Sequence, residues 1–279
     1  MNNNSQKTED YYDSRSSLIQ KIVQKSNEQS NTVPLLNNAI ARRVVQFWDD
    51  HTRLPDDVNA CINTWKAIEN QGIELLLFDR RQASDFIFYN LGKRYRQAFE
   101  RCYHPAMQSD LFRLCYIFVE GGCYIDVDDA YTGSDIAHLF EDGRLKIQPL
   151  CYDLCSHSMV PPAIFTKAGT SNKNWVFYFN NNPLIAGKQH FLIEKALNRA
   201  VDALLKSHMH SFPEIQSTTG PGNLTQCIFE AASEAIEVVN NMLVLTEWEN
   251  TAISAWPLSY RNDARNWRLS NSQQYKALT

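Results

Sequence analysis

The sequence lacks a long apolar run and an excess of basic residues. Its longest apolar candidate, residues 111–119, is interrupted by Arg113 and is far shorter than the roughly 20 residues that a helix needs to cross a membrane. Lysine and arginine together number 27 against 31 acidic residues, a formal net charge of -4, whereas nucleic-acid binding normally requires a basic face or tail. We therefore expect neither a membrane span nor a nucleic-acid partner.

The sequence also lacks a paired set of cysteines and the hallmarks of a secretory signal. Its 7 cysteines are an odd number scattered through apolar patterns, where a thiol packs as a small hydrophobic group, and such a set suits a reducing compartment. Residues 1–17 are polar, without a basic start, an apolar segment or a small-residue cleavage site. We expect a cytoplasmic protein, with a secreted effector as the alternative.

Alternating strand and helix patterns predict an α/β fold. Residues 44–48 give a short strand pattern, and an amphipathic helix runs from Pro55 to near Gly72. The segment "IELLLF" (73–78) is a continuous apolar run, typical of a strand covered on both faces. We predict a mixed central sheet flanked by helices.

The chain shows no internal repeat and no linker that would divide it. Residues 1–17 offer almost nothing to bury, and we expect them to form a flexible segment. Residues 18–38 begin with an amphipathic pattern and are expected to form a helical appendage. We predict that residues 39–279 form a single domain that ends in a lid.

Three acids, Asp126, Asp128 and Asp129, lie at the end of the next predicted strand, "CYIDV" (123–127), which begins directly after a helix over about 106–119 and a Gly-Gly stop. Because side chains alternate along a strand, Asp126 and Asp128 should point to one side. Two neighbouring carboxylates repel unless a cation lies near, and Mg²⁺ or Mn²⁺ completed by a diphosphate meets that need. From this pattern alone, acids that merely solvate a strand end remain the alternative.

The stretch "SDLFRLCYIFVEGGCYIDVD" (109–128) closely resembles the segment that identifies the Asp-x-Asp sugar transferases of the GT-A fold. In that group a Ser-Asp-x-x-Arg helix, a Gly-Gly turn and a Tyr-x-Asp-x-Asp strand follow one another. It includes fungal initiating mannosyltransferases, capsule and lipopolysaccharide sugar transferases, and the catalytic domains of glucosylating toxins. The resemblance implies a GT-A-type nucleotide-sugar-binding fold.

Three shorter segments extend the resemblance in blocks. "RRVVQFWDD" (42–50) resembles the family's opening strand, with Gln46 near the position of the usual His and without the usual Pro. "STTGPGNLT" (217–225) resembles its Thr-Gly-Pro turn, near the phosphates or the acceptor, although a plain turn before a helix fits equally well. "SAW" (254–256) resembles its Ser-x-Trp closing segment.

The resemblance implies a role for each matching residue. Asp128 would ligate the metal directly, while Asp126 would contact the donor ribose and a metal-bound water. Asp110 and Arg113, three residues apart on one helical face, would hold hydroxyls of the transferred sugar, with a local salt bridge as the alternative. The other implied donor-binding residues are Gln46, Phe47, Trp48, Tyr124, Ser254 and Trp256.

Trp48 and the C-terminal part of the chain have further implied roles. Trp48 would stack on the nucleotide base, with ordinary core packing as the alternative. Ser254 would approach the metal, and Glu249 and Asn250 are candidates for the ligand that often precedes it, of which we take Asn250. For Arg261, Arg265 and Arg268, at helical spacing, we expect a solvated basic face, with a phosphate grip as the alternative.

The resemblance implies a hexosyl- or N-acetylhexosaminyl-transferase that uses Mn²⁺ or Mg²⁺ and retains the anomeric configuration. We expect a nucleoside diphosphate sugar, first a UDP-sugar, as donor, and a glycan, a lipid-linked glycan or a protein as acceptor, in bacterial surface-glycan synthesis. One alternative is an effector or toxin that glycosylates a host protein. The others are a metal-dependent phosphatase and a catalytically lapsed module that binds nucleotide sugars or glycans.

Overall fold

The computed structural model describes residues 3–28, 39–207 and 212–270. Within these ranges the helices are α1 (Asn3–Glu28), α2 (Asp56–Thr64), α3 (Arg80–Leu91), α4 (Lys93–Glu100), α5 (Pro105–Glu120), α6 (Pro162–Phe165), α7 (Phe191–Lys206), α8 (Ile215–Thr218), α9 (Pro221–Glu234) and α10 (Trp267–Ser270). The strands are β1 (Arg43–Phe47), β2 (Glu74–Phe78), β3 (Gly122–Tyr124), β4 (Asp129–Tyr131), β5 (Leu145–Asp153), β6 (Ser158–Met159), β7 (Trp175–Ala186), β8 (Met242–Val244) and β9 (Ala252–Ser254). Short 3₁₀ helices include Trp65–Gln71, Trp248–Asn250 and Ser259–Asn262.

Seven of the described strands form one mixed sheet in the order β2-β1-β3-β7-β5-β6, with β8 paired to β5. Strand β1 runs parallel to β2 and β3, whereas β7 runs antiparallel to β3 and β5. A separate two-stranded sheet pairs β4 with β9, with Asp129 opposite Ser254. The predicted α/β fold with a mixed central sheet flanked by helices is confirmed.

Helix α5 packs against β3 and β7 of the sheet, and most of its length is buried. Its first turn is set by Pro105 and by the His104 ring, whose Nδ1 accepts the Ala106 N–H at 3.0 Å. It ends at Gly121, which has a φ of +69°, and a Cβ there would lie 2.8 Å from the Lys188 nitrogen. Only glycine fits this turn, which leads α5 directly into β3.

Between β2 and α5 the chain forms two helices, α3 and α4, separated by Gly92, whose φ is +87°. One predicted boundary differs from the structure. At the N-terminus α1 begins at Asn3 and continues through residue 17, where we expected a flexible segment to give way to a helix. Its residues Ile19 and Val23 are fully buried in the main core. Residues 29–38 of the expected appendage lie outside the described residues.

The seven cysteines are all free, and each except Cys155 is buried. This arrangement agrees with their interpretation as small core side chains. Among the described residues, no helix combines the length and the apolar character needed to cross a membrane.

Candidate active site

A cavity of about 640 Å³ opens at the carboxyl ends of β1 and β3. In open α/β sheets ligands bind at this edge. Its walls come from the turn after β3, from β7, and from a C-terminal segment, residues 256–268, which we call the strap. The predicted residues that line it are Phe47, Trp48, Asp110, Arg113, Asp126, Asp128, Ser254 and Trp256.

Asp126 and Asp128 lie in a turn and not on a strand, because β3 ends at Tyr124. Alternation along a strand is therefore the wrong reason for their shared direction. The turn itself aims them: the Asp126 N–H donates to Asn182 Oδ1 at 3.0 Å, and the Asp129 N–H donates to the Asp126 carbonyl at 3.2 Å. Both carboxylates nevertheless reach the same cavity.

Arg113 joins Asp110 of α5 to Asp126 in the turn after β3. Its Nη2 lies 2.8 Å from Asp126 Oδ1 and 3.1 Å from Asp110 Oδ1. Its Nη1 donates to the Asn181 carbonyl at 2.8 Å, and its guanidinium lies 4.4 Å above the Tyr124 ring. Since only 4% of the Arg113 side chain is exposed, this is a buried network and not the surface salt bridge that we considered.

Asp110 is held from three sides in this network. Asn181 Nδ2 donates to its Oδ1 at 2.8 Å, and Thr219 Oγ1 donates to its Oδ2 at 3.3 Å. Thr219 belongs to the Thr-Gly-Pro turn, so that turn fixes an acid of the cavity wall. Asp110 also lines the cavity itself.

The acids of the cavity carry more negative charge than Arg113 neutralises. Burial raises the pKa of Asp126 well above its ordinary value although Arg113 lowers it, and Asp128 and Asp129 raise it further. Burial likewise raises the pKa of Asp110, against the lowering effect of Arg113. A second cation near these carboxylates would relieve this cost.

Asp128 is covered by the strap. The Tyr260 hydroxyl donates to Asp128 Oδ2 at 2.7 Å, and Arg261 Nη2 pairs with the same oxygen. The Asp128 and Arg261 side chains are 14% and 13% exposed. The solvated basic face expected for Arg261 is therefore wrong, because this guanidinium turns inward onto the acid.

Asp129 holds the two-stranded sheet to the main sheet. It accepts Ser254 Oγ at 2.6 Å on Oδ1 and Asn182 Nδ2 at 2.9 Å on Oδ2. Burial raises its pKa to about 6, and the charge of Asp128 contributes. With both oxygens engaged, Asp129 orients its neighbours, and the Ser254 hydroxyl points to this acid.

Trp48 lines the cavity, but the strap covers it. Only 7% of the residue is exposed. The Tyr260 ring packs edge-on at 5.5 Å between centroids, and the Arg265 guanidinium lies 5.6 Å from the indole centre. A base could stack on Trp48 only after Tyr260 and Arg265 moved.

Three predicted residues do not line the cavity. Gln46 is completely buried in β1, where its Nε2 lies 3.4 Å from the Asp126 carbonyl. Tyr124 is completely buried, and its hydroxyl pairs with Ser109 Oγ at 2.6 Å. Asn250 is exposed and does not line the cavity, whereas its neighbour Glu249 in the same 3₁₀ helix does.

Sequence reasoning missed the amides of the cavity wall. Asn180, Asn181 and Asn182 of β7 all line the cavity, as does Gln148 of β5, which donates to Glu249 Oε1 at 2.9 Å. A run of three amides inside a strand pattern was an available signal. Buried amides need polar partners: Asn181 and Asn182 donate to Asp110 and Asp129, and Asn180 donates to Gln148 Oε1 at 3.3 Å.

Polar groups without a hydrogen-bond partner among the described residues concentrate around this cavity. They include Gln46 Oε1, Trp48 Nε1, Arg113 Nε, Trp248 Nε1 and Arg261 Nε. All of these residues except Gln46 line the cavity. Because buried polar groups are normally paired, their clustering indicates a polar ligand.

The donor set of the acids suits a hard divalent ion. Within the described part of the chain, no group of three or more His, Cys, Asp or Glu residues converges as a complete metal site. Oδ1 of Asp128 and Oδ2 of Asp126 are not used in the contacts described above and belong to side chains that line the cavity. A Mg²⁺ or Mn²⁺ ion bound by few carboxylates and by ligand phosphates fits this set, once Arg261 leaves Asp128.

Residues 55–138 match a family model described as "Glycosyltransferase sugar-binding region containing DXD motif". The match confirms the resemblance identified from the acids and the expectation of a glycosyltransferase. No curated protein matches the chain. Among solved structures, one match is titled "PaToxG Glycosyltransferase", with 18% identity over 81% of this chain and 82% of that chain, at a TM-score of 0.49.

Proposed function

Because residues 55–138 match a family model of a glycosyltransferase sugar-binding region with a DXD motif, we propose that this chain transfers a sugar from a nucleoside diphosphate, first from UDP, to an acceptor hydroxyl. One observation carries the proposal: Asp126 and Asp128 share one cavity with the buried Asp110–Arg113 pair. The cavity volume of about 640 Å³ lies in the range of sites that enclose a small ligand.

For the metal we propose Mn²⁺ or Mg²⁺, held directly by Asp128 and through water by Asp126. When bound, such an ion supplies a positive charge that stabilises the diphosphate as it leaves. Ser254 supports the metal site indirectly in this proposal, because its hydroxyl donates to Asp129 Oδ1, next to Asp128. Glu249, which lines the cavity, takes the role that we first gave to Asn250.

Arg113 is the organising residue of the donor site in this proposal. It fixes Asp126 Oδ1 and leaves Oδ2 for a ligand. Asp110, held by Asn181 and Thr219, presents its cavity side to hydroxyls of the transferred sugar. This preorganisation lowers the entropic cost of binding, because the side chains are already fixed.

We propose that the transfer retains the anomeric configuration. Asp110 and Asp126, the acids bound to Arg113, serve as positioning groups and not as attacking groups. The acceptor hydroxyl then approaches the face that the diphosphate leaves, and no enzyme nucleophile takes part. The anomeric coupling constant of the product, measured by NMR, tests this assignment.

For the acceptor we propose a glycan or lipid-linked glycan of a bacterial surface polymer, modified in the cytoplasm. The acceptor assay compares oligosaccharides, lipid-linked sugars and a host-cell protein extract, each with labelled donor. Labelling of the sugar acceptors supports the proposal. Labelling confined to protein would replace it with an effector-type function.

Release of nucleoside diphosphate from UDP- and GDP-sugars, with and without Mn²⁺, tests the reaction. We expect turnover with one nucleotide class, requiring metal and falling at least about 100-fold in Asp128→Asn. The matched control is Asp202→Asn, which removes a carboxylate paired with Arg94 on the surface and should turn over normally. Equal turnover in Asp128→Asn and the control would contradict the proposal.

A further inference from the structure

The Arg261 side chain occupies the acid to which the proposed function assigns the metal. Its Nη2 pairs with Asp128 Oδ2, and both side chains are largely shielded from water. A divalent ion on Asp128 Oδ1 would lie within a few ångströms of the guanidinium on Oδ2 of the same carboxylate, and two cations at that separation repel strongly. The guanidinium and a divalent ion are therefore alternatives at Asp128.

The contact between Arg261 and Asp128 is replaceable. It is made through one guanidinium nitrogen, whereas Nε of Arg261 has no hydrogen-bond partner among the described residues. A bidentate arginine–carboxylate pair would be geometrically stronger. An end-on pair with a buried unpaired N–H holds the acid less firmly.

The strap holds the Arg261 guanidinium in place beside Asp128. The Arg261 guanidinium lies 4.3 Å from the centre of the Trp256 ring and 5.6 Å from that of Tyr260, so strap aromatics support it on two sides. Tyr260 donates to the same oxygen of Asp128. Tyr260 also packs on Trp48, so one segment covers both the proposed metal ligand and the proposed base platform.

Polar contacts beyond the cavity also attach the strap to the rest of the molecule, among them one from Arg265 Nη1 to the Arg53 carbonyl. The Ser259 N–H and hydroxyl donate to Asp57 at 2.6 and 3.0 Å, at the start of α2. The His104 ring, whose Nδ1 accepts a hydrogen bond, donates through Nε2 to the Ala264 carbonyl at 3.0 Å. These contacts hold the strap closed without involving Asp126 or Asp128.

We propose that Arg261 is a tethered cation that competes with the divalent ion for Asp128, so that the strap closes the cavity until metal and donor displace it. This inference rests on the proposed function, because that function places the metal at Asp128. In the metal-free chain the strap then blocks donor binding, because it covers both Asp128 and Trp48. Metal binding and strap opening are then coupled through one carboxylate.

Direct Mn²⁺ binding without any nucleotide tests the competition, with free Mn²⁺ measured by electron paramagnetic resonance. We expect Arg261→Gln to bind Mn²⁺ about tenfold more tightly than the wild type, since a charged hydrogen bond no longer has to be broken. Arg268→Gln is the matched control: it removes the same charge from the strap, but its guanidinium lies over Trp256 at 4.9 Å. It should stay within about twofold of the wild type. Arg261→Lys, which keeps the charge, should bind Mn²⁺ nearly as weakly as the wild type.

Tryptic cleavage after Arg265 gives a second measurement of the same competition. Mn²⁺ should accelerate this cleavage in the wild type, and Arg261→Gln should be cleaved rapidly without metal. Equal Mn²⁺ affinity in the wild type and Arg261→Gln would overturn the inference, as would absence of Mn²⁺ binding in folded Arg261→Gln. Neither result decides the transferase proposal, which is tested by nucleotide release.

Discussion

Nη2 of Arg113 lies 2.8 Å from Oδ1 of Asp126, in a pair whose arginine side chain is only 4% exposed. This contact ties a helix to the turn that carries the acids of the site. The carboxylates of Asp126 and Asp110 raise the pKa of Arg113 although burial lowers it, so the guanidinium stays charged. One buried cation therefore links Asp110 and Asp126.

Replacing Arg113 by Met should lower the free energy of unfolding by about 3 kcal/mol, because it leaves buried carboxylates without their cation. Donor binding should be lost as well. The matched control is Arg96→Met, which removes an exposed pair with Glu100 and should cost less than about 1 kcal/mol. Urea denaturation measures both, and a similar small loss in the two variants would show that the network is not structural.

Gly220→Ala should weaken the site through packing alone. A Cβ at Gly220 would lie 3.2 Å from Asp110 Oδ2 and 3.1 Å from Gln216 Cα, so Asp110 has to move. We expect a stability loss of about 1–3 kcal/mol and weaker donor binding. Gly187→Ala is the control, since its Cβ would meet Gly143 at an ordinary 3.6 Å. Unchanged donor affinity in Gly220→Ala would remove Asp110 from the sugar site.

Ser254→Ala separates two roles of the closing segment. The Ser254 hydroxyl donates to Asp129 at 2.6 Å, so its removal should cost about 1–3 kcal/mol of stability, because the buried acid loses a partner. Mn²⁺ affinity should change less than about threefold if Ser254 acts only through Asp129. Calorimetry with Mn²⁺ measures this, and loss of metal binding in a stable Ser254→Ala protein would make the serine a metal ligand.

His190 makes stability depend on pH away from the site. Its Nδ1 accepts the Leu192 N–H at 3.3 Å at the start of α7, and burial lowers its pKa from 6.5 to about 4. Between these values the unfolded chain binds a proton that the folded chain does not, so stability is lost as the pH falls from about 6.5 to 4, by up to about 3 kcal/mol. His190→Asn keeps a helix-capping group and should show a smaller loss between pH 7 and pH 5 in denaturant titrations. An identical pH dependence in both proteins would contradict this assignment.

The sequence was most informative where pattern and chemistry coincide. The helix from Pro105, its stop at Gly121 and the acids that follow could be predicted, because apolar periodicity, glycine turns and adjacent carboxylates are local signals. Asp110 and Arg113 could be paired because they lie three positions apart on a helix. The structure adds that this pair is buried and that Arg113 also binds Asp126.

The remaining parts of the site depend on contacts between distant segments. Asn181 and Asn182 bind acids more than fifty positions earlier in the chain, with sequence separations of 71 and 53 residues. Arg261 reaches Asp128 across 133 residues, and a local pattern cannot show which side of a short 3₁₀ turn faces inward. For the same reason the sequence could not show that Glu249, and not Asn250, lines the cavity.

The metal-assisted donor site at Asp128 can be tested by titration calorimetry of a UDP-sugar with and without Mn²⁺, in the wild type, in Asp128→Asn and in the surface control Asp202→Asn. We expect donor binding that requires metal in the wild type and the control and is lost in folded Asp128→Asn. Donor binding of equal strength in all three proteins, or binding that does not depend on the metal, would contradict a metal-assisted donor site at Asp128.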